Sequence, residues 1–413
     1  MKTVFTFLAL LAATSCFSQY FHNVPSGTGK DLLSISFGSA TTGYIGGADS
    51  IFLKTTDGGQ TWMTLPVDNV FFSPVANDIT DVQFVSASTG YIVVTNKDNM
   101  LYQGAVYKTT DGGYSWLPVD AGNTAAYRSF FFSENEGYVI GSAFFAGNTI
   151  SKISGGQPSA YHTLSMNPTA FNISIDFWNN QTGIVGGGEG QVYRTFNAGA
   201  SWDTVQTMVS DTSIYAIRFL DERKVLAATA GNLIISFDTG RTWQVDFSSL
   251  TFDYPAMQSI ARSAKDSFIA VGAGQTLSNQ GLIYRWDNGF NTRELADRPL
   301  HGVAMCNDSI AYAVGDSGLI ITNRTIPGTG IQTPVSKGEE LSIFPNPGTG
   351  SFTVSFSLPH TLRIFDAAGR LVLENSTLSL SHTIDLSAFA NGNYIAEAET
   401  AKGRLNRKLL LQR

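Results

Sequence analysis

Charge is scarce in this sequence. Only 14% of its 413 residues are Asp, Glu, Lys or Arg, against about 25% in an average soluble domain, so solvated charged helices make up little of the chain. Positive charge is scarcer still. The 26 basic and 33 acidic residues leave a formal charge of −7, which argues against a nucleic-acid partner, because phosphate binding needs clustered Lys and Arg. Hydrophobic runs of bilayer length are also lacking. The run from Val4 to Ala13, behind Lys2, is too short to span a membrane but has the form of a secretory signal. Small residues at Thr14, Ser15 and Ser18 place cleavage before Gln19. Residues 1–18 are therefore read as a signal peptide, and the mature chain is expected to carry no transmembrane segment. The competing reading is a lipoprotein acylated on Cys16, although Ala13 stands where such a site normally wants an aliphatic Leu.

Cysteine is nearly absent. Of two in the chain, only Cys306 survives the cleavage, so the mature protein cannot form an internal disulfide. Within Val303-Ala304-Met305-Cys306 it reads as a small buried hydrophobe and not as a nucleophile. The five histidines, His22, His162, His301, His360 and His382, show no metal-ligand spacing, and neither a metal nor a cofactor is expected.

What the chain has in quantity is glycine, 41 residues, and aromatics, 12%, the makings of strands and tight turns. The phrase Gly43-Tyr44-Ile45-Gly46-Gly47 returns as Gly90-Tyr91-Ile92-Val93-Val94, Gly137-Tyr138-Val139-Ile140-Gly141 and Gly183-Ile184-Val185-Gly186-Gly187. Weaker copies follow at Val225, Phe268 and Tyr312, and the steps between copies are 47, 47, 46, 41, 43 and 44 residues. That is the length of a four-stranded propeller blade. Each copy opens with an alternating strand such as Leu33-Ser34-Ile35-Ser36-Phe37, and its period of two supports β structure. The fold class is therefore all-β: a seven-bladed β-propeller over residues 19–325, a linker over 326–340, and a small antiparallel β-sandwich over 341–413. The seventh copy lacks an outer strand, which Tyr20 to Val24 is expected to supply, closing the ring.

A second motif lies in the turns after the third strands. These read Asp57-Gly58-Gly59-Gln60-Thr61-Trp62, Asp111-Gly112-Gly113-Tyr114-Ser115-Trp116, Asn197-Ala198-Gly199-Ala200-Ser201-Trp202 and Asp238-Thr239-Gly240-Arg241-Thr242-Trp243, each two residues after a Thr or Ser. Asp or Asn can accept bonds from nearby backbone N–H groups, Gly allows positive φ, and Trp buries a large ring between blades. With one carboxylate per turn, these residues read as turn staples and not as calcium ligands or catalytic acids. The motif resembles the Asp-box, or bacterial neuraminidase repeat.

The repeat region as a whole resembles the propellers of photosystem II stability and assembly factors. Sialidases, sortilin-type receptors and xyloglucan hydrolases share the box, so the resemblance implies a fold more than a function. A sialidase needs an arginine triad, and Arg128, Arg218 and Arg262 fall on or near first strands. The Phe/Tyr-Arg-Ile-Pro phrase usual in sialidases is absent, however, and Glu is scarce. Ser36, Gln83, Arg128, Asp176, Arg218 and Arg262 are the candidate polar ligand surface at the channel mouth. No catalytic residue is assigned.

The C-terminal segment carries Pro345-Asn346-Pro347, Asp366-Ala367-Ala368-Gly369, Gly392-Asn393-Tyr394 and a basic end with Lys408. About seven short strands with Asn-Pro and Ala-Gly turns are expected here. This pattern resembles the type A C-terminal sorting domain of the type IX secretion system, with an ordinary carbohydrate-binding sandwich as the competing reading. The resemblance implies a Bacteroidota-like bacterium, and partners in the type IX translocon and a sortase-like enzyme that attaches the product to surface lipopolysaccharide or releases it. The expected product is a secreted or cell-surface, non-enzymatic propeller that binds an unknown protein or glycan. The alternatives are a sialidase-like glycoside hydrolase and an assembly factor for another exported protein.

Overall fold

Alternating apolar and polar residues, punctuated by glycine, build a chain of short antiparallel sheets. The computed structural model describes residues 21–67, 77–96, 104–122, 125–143, 147–165, 174–210, 212–248, 256–263, 267–273, 279–287, 290–324, 341–366, 370–400 and 403–413. Residues 1–18, expected as a signal peptide, residues 326–340, expected as a linker, and Gly369 lie outside the described residues. The chain divides into two compact units, Met1–Thr325 and Ile326–Arg413.

The first unit is a ring of seven four-stranded sheets. Blade 1 comprises Leu32–Phe37, Gly43–Gly47, Phe52–Thr55 and Met63–Thr64. Blades 2 to 6 begin with Asn77–Phe84, Ala125–Phe131, Ser174–Phe177, Ala216–Phe219 and Ala256–Arg262. Blade 7 takes Leu300–Met305, Ala311–Gly315 and Leu319–Thr322 from the end of the unit. Its fourth strand is His22–Asn23 from the start, in register His22 to Thr322 and Asn23 to Ile321. Val24 N continues the ladder by donating to Ile320 O at 2.8 Å. The ring thus hides an edge that would otherwise invite pairing with another chain.

The repeated Gly-Tyr phrase has a packing cause. The glycine lies opposite the phenylalanine that ends the blade's first strand: Gly43 faces Phe37, Gly90 faces Phe84 and Gly137 faces Phe131. A Cβ on any of the three would sit 2.5–2.6 Å from that Phe ring, so only glycine lets the ring lie across the strand. The tyrosine then reaches into the next blade and stacks on its phenylalanine. Tyr44 lies on Phe84 at 3.5 Å, Tyr91 on Phe131 at 3.5 Å and Tyr138 on Phe177 at 4.3 Å. Tyr312 meets Phe37 at 5.4 Å across the closure. Apolar clusters accordingly form between neighbouring blades, as where Tyr44 and Phe52 of blade 1 pack with Phe84 and Trp116 of blade 2.

Among its described residues the second unit has five strands, not seven short ones: Ser342–Phe344, Ser351–Asp366, Leu371–Asp385, Gly392–Thr400 and Gly403–Leu411. The difference lies in two strands of 16 and 15 residues, whose pairing shifts register between Ser355 and His360 and again between His360 and Leu362. Such irregularities bend a strand, so each long strand serves both parts of the sheet where two short ones were expected. Phe352, Val354, Leu362, Ile364, Ile384, Ala396 and Leu409 are buried between them.

Candidate functional site

The first strands of the blades line a central cavity of about 380 Å³. Ser36, Gln83, Arg128, Asp176, Arg218 and Arg262 all face it, together with Ser34, Asp81, Ser129, Ser259 and His301. Neighbouring first strands belong to different sheets, so their backbone N–H groups need partners from outside their own ladders. The polar side chains supply them. Val82 N donates to Ser34 Oγ at 3.0 Å and Phe84 N to Ser36 Oγ at 3.0 Å. Ser129 N donates to Asp81 Oδ2 at 3.0 Å, Phe131 N to Gln83 Oε1 at 2.8 Å, and Gln83 Nε2 returns a bond to Phe131 O at 3.0 Å. Phe219 N donates to Asp176 Oδ2 at 2.7 Å, and Val303 N to Ser259 Oγ at 3.3 Å.

The three arginines do gather here, and each is engaged. Arg128 Nη1 donates to Thr80 O at 3.0 Å and to Tyr127 O at 3.1 Å. Arg218 donates to Ile260 O and Ile175 O at 3.3 and 3.4 Å and pairs with Asp176 Oδ1 at 3.3 Å. Arg262 Nη1 donates to Phe219 O at 2.8 Å, and its guanidinium lies 5.3 Å from the Trp178 ring centroid. Burial pushes the Asp81 carboxyl above the usual range, with the Arg128 and Arg218 charges and bonds from Ser129 opposing it. Burial raises Asp176 likewise, against the charges of Arg218 and Arg262. Desolvation wins at both carboxyls in spite of the nearby cations. The channel is a polar lining of three guanidiniums and two carboxyls whose bonds run mainly from blade to blade.

The four turns that resemble the Asp-box show one repeated network. Asp57 Oδ1 accepts from Thr55 Oγ1 at 2.8 Å and Thr61 N at 3.0 Å, and its Oδ2 accepts from Thr61 Oγ1 at 2.6 Å. Asp111 and Asp238 repeat this with Thr109 and Ser115, and with Ser236 and Thr242. At Asn197 the oxygen accepts from Thr195 Oγ1 and Ser201 N, both at 3.0 Å, while Nδ2 donates to Ser201 Oγ at 2.9 Å. The second glycines stand at positive φ, 88° at Gly59, 89° at Gly113, 74° at Gly199 and 75° at Gly240. Each packs on the preceding blade, and a Cβ on Gly59 would sit 2.4 Å from the Tyr312 ring. Trp62 and Trp243 donate to Gly59 O and Gly240 O at 3.1 and 3.0 Å, whereas the buried Trp116 and Trp202 indole nitrogens have no protein partner. Desolvation works to raise the carboxyls, but the bonds from Ser115, Thr109 and Tyr114 hold Asp111 down to about 2. Those from Thr242, Ser236 and Arg241 do the same for Asp238, against the same desolvation.

Sequence reasoning missed Asp81, Ser34 and Ser259 in the channel, although Asp81 and Ser34 stand two residues before Gln83 and Ser36, which it picked. It also missed a recurring cation just before the box turn. Lys54 Nζ donates to Gly112 O at 2.9 Å, Lys152 Nζ to Ala198 O at 3.2 Å and Arg194 Nη1 to Thr239 O at 3.2 Å, each tying its blade to the next turn. In the second unit the rings of His360 and His382 stand 4.8 Å apart in the core, a pairing the sequence spacing did not suggest.

In that unit, Asn346 of the Pro345-Asn346-Pro347 turn holds the last strand. Its Nδ2 donates to Lys408 O at 2.8 Å and its Oδ1 accepts from Leu410 N at 2.9 Å. Asp366 accepts from Arg370 N and Nε at 3.0 and 2.8 Å across its turn. Gly392 has φ 155°, and Tyr394, buried, donates its hydroxyl to Ala390 O at 2.7 Å.

A family model described as a secretion system C-terminal sorting domain matches residues 342–412. A second, photosynthesis system II assembly factor YCF48, matches residues 69–323, more than half of the chain. The chain belongs to the YCF48 family. It is therefore a YCF48-type propeller carrying a type IX sorting tail. The photosystem II assembly lipoprotein Ycf48 of Synechococcus sp. (strain CC9902) is 25% identical over 227 residues, 52% of this chain and 61% of that protein. The match thus spans less than two thirds of that relative. YCF48 from Cyanidioschyzon merolae superposes with a TM-score of 0.55 at 16% identity, covering 73% of this chain and 98% of that one. The WD40 propeller domain of Doa1 gives 0.56 at 10% identity over 73% and 96%. These structural likenesses show the propeller fold. Among the described residues no helix is long and apolar enough to cross a membrane.

Proposed function

We propose that this protein is an exported, non-enzymatic propeller that holds a protein partner, as an assembly or stability factor does, outside the inner membrane. The C-terminal domain carries the export part of this reading, and the product is secreted or displayed on the cell surface. The observation favouring binding over catalysis is the engagement of the channel guanidiniums. Arg128, Arg218 and Arg262 all donate to backbone carbonyls, whereas a glycan hydrolase of the sialidase kind requires free guanidiniums converging on a substrate carboxylate. The family's assembly-factor members support a protein partner over a glycan.

Chemical cross-linking of the full chain on living cells, followed by mass spectrometry, tests the reading. One reproducible cross-linked protein is the expected result. Retention of the purified chain by sialylated or plant polysaccharides, abolished by Arg218→Ala, together with hydrolysis of those glycans, would overturn it in favour of the hydrolase.

A further inference from the structure

The tyrosines of the Gly-Tyr phrase have a job at their hydroxyl end, and one of them is left without it. Tyr44 donates to Ala87 O at 2.6 Å and Tyr91 to Glu134 O, both in the turn after the next blade's first strand. Tyr312 donates to Gly58 O at 2.7 Å. Tyr138 occupies the same place in blade 3 and is only 2% exposed, yet its hydroxyl has no protein partner. The counterpart of Ala87 and Glu134 in blade 4 is Asn180. Both Tyr138 and Asn180 line a second cavity, of about 370 Å³, at the junction of blades 3 and 4. A buried donor without an acceptor costs about 1–3 kcal/mol, and a void of this size falls within the range of ligand pockets.

The chemistry of the walls narrows the occupant. Phe132, an exposed aromatic ring, forms part of the wall. The two charged wall residues are already engaged. Lys152 Nζ donates to Ala198 O at 3.2 Å, and Glu136 accepts from Ser154 Oγ at 3.0 Å and Gly155 N at 2.9 Å. Burial, with the Glu136 charge adding to it, pushes the Tyr138 phenol up to about 12, so it stays a donor. A neutral apolar group accompanied by one acceptor is what such walls accept. An extended peptide offers both, a side chain and the carbonyl beside it, and exposed aromatic rings commonly anchor such contacts.

We propose that the cavity between blades 3 and 4 binds an extended segment of a protein partner, taking one apolar side chain and donating the Tyr138 hydroxyl to the adjacent backbone carbonyl. This rests on the protein-binding reading above and gives it a location. The test is selection of a phage-displayed library of random short peptides on the full chain, with the enriched peptides then titrated by fluorescence anisotropy. Two variants accompany the wild type: Tyr138→Phe removes the donor, and Ser133→Trp, at an exposed wall position, blocks the mouth without touching the core. Enriched peptides sharing an apolar anchor, with affinity reduced at least tenfold by both variants, are the expected result. Peptides that bind both variants as well as the wild type would overturn the site while leaving protein binding intact. No enrichment at all would overturn both. A glycan panel in which Ser133→Trp abolishes binding would replace the peptide with a carbohydrate.

Discussion

The four tyrosines of the repeat separate a residue's packing from its hydrogen bond. All four rings pack against a phenylalanine of the next blade, but only Tyr44, Tyr91 and Tyr312 donate to a carbonyl there. Tyr91→Phe should therefore leave the Glu134 carbonyl short of a donor and lower stability by about 0.5–1.5 kcal/mol, measured by chemical denaturation. Tyr138→Phe, which removes an unpartnered hydroxyl, should be neutral or stabilising in the same assay. Acid reads out other residues. Asp111 and Asp238 are held at about 2 in the folded state, below their ordinary 3.8. Their contribution is complete above pH 4 or so and is lost as pH falls towards 2. Asp81 and Asp176 are raised, so theirs has the opposite sign and is lost as pH rises through the carboxylate range. The melting temperature should fall over about pH 4 to 2, and fall less in an Asp111→Asn, Asp238→Asn double variant, since Asn197 already accepts the same bonds in blade 4. An unchanged acid slope would contradict the role given to those carboxylates.

At the scale of the element, each box turn is a wedge between blades, and its tryptophan is the wedge's bulk. Trp116 is 6% exposed and meets Phe52 of blade 1 at 5.4 Å and Phe84 of its own blade at 6.4 Å. Trp116→Ala should cost about 3–5 kcal/mol by denaturant titration. Trp62→Ala, at a half-buried ring, should cost less. These elements were legible in the sequence because their causes are local: the box spacing fixes the turn, and glycine opposite phenylalanine fixes the Gly-Tyr phrase. The junction cavity was not legible. It depends on where the Asn180 carbonyl falls relative to Tyr138 across two blades, and Tyr138 reads in the sequence like Tyr44 and Tyr91. The long strands of the second unit were hidden for a different reason, since Pro359 falls within the alternating run and reads as a strand boundary. The channel was half legible. Alternation placed Ser36, Gln83 and Asp176 on the inner face, but the bonds those side chains make to the next blade are set by ring geometry.

For the whole molecule, the ring and the tail are separable predictions. Removing residues 19–24 should take away the strand His22–Asn23 and its bonds to Ile321 and Thr322. The edge of blade 7 is then exposed, so a lowered melting temperature and oligomers by size-exclusion chromatography should follow. The tail should act on destination and not on folding, because its core, from Leu341 to Leu411, is its own. The decisive measurement is cell fractionation with surface labelling of the full chain and of a chain ending at residue 340. The full chain should appear at the surface or in the medium, and the truncated chain should accumulate, folded, in the periplasm. Truncated protein reaching the surface as efficiently as the full chain would contradict an exported propeller addressed by its C-terminal domain.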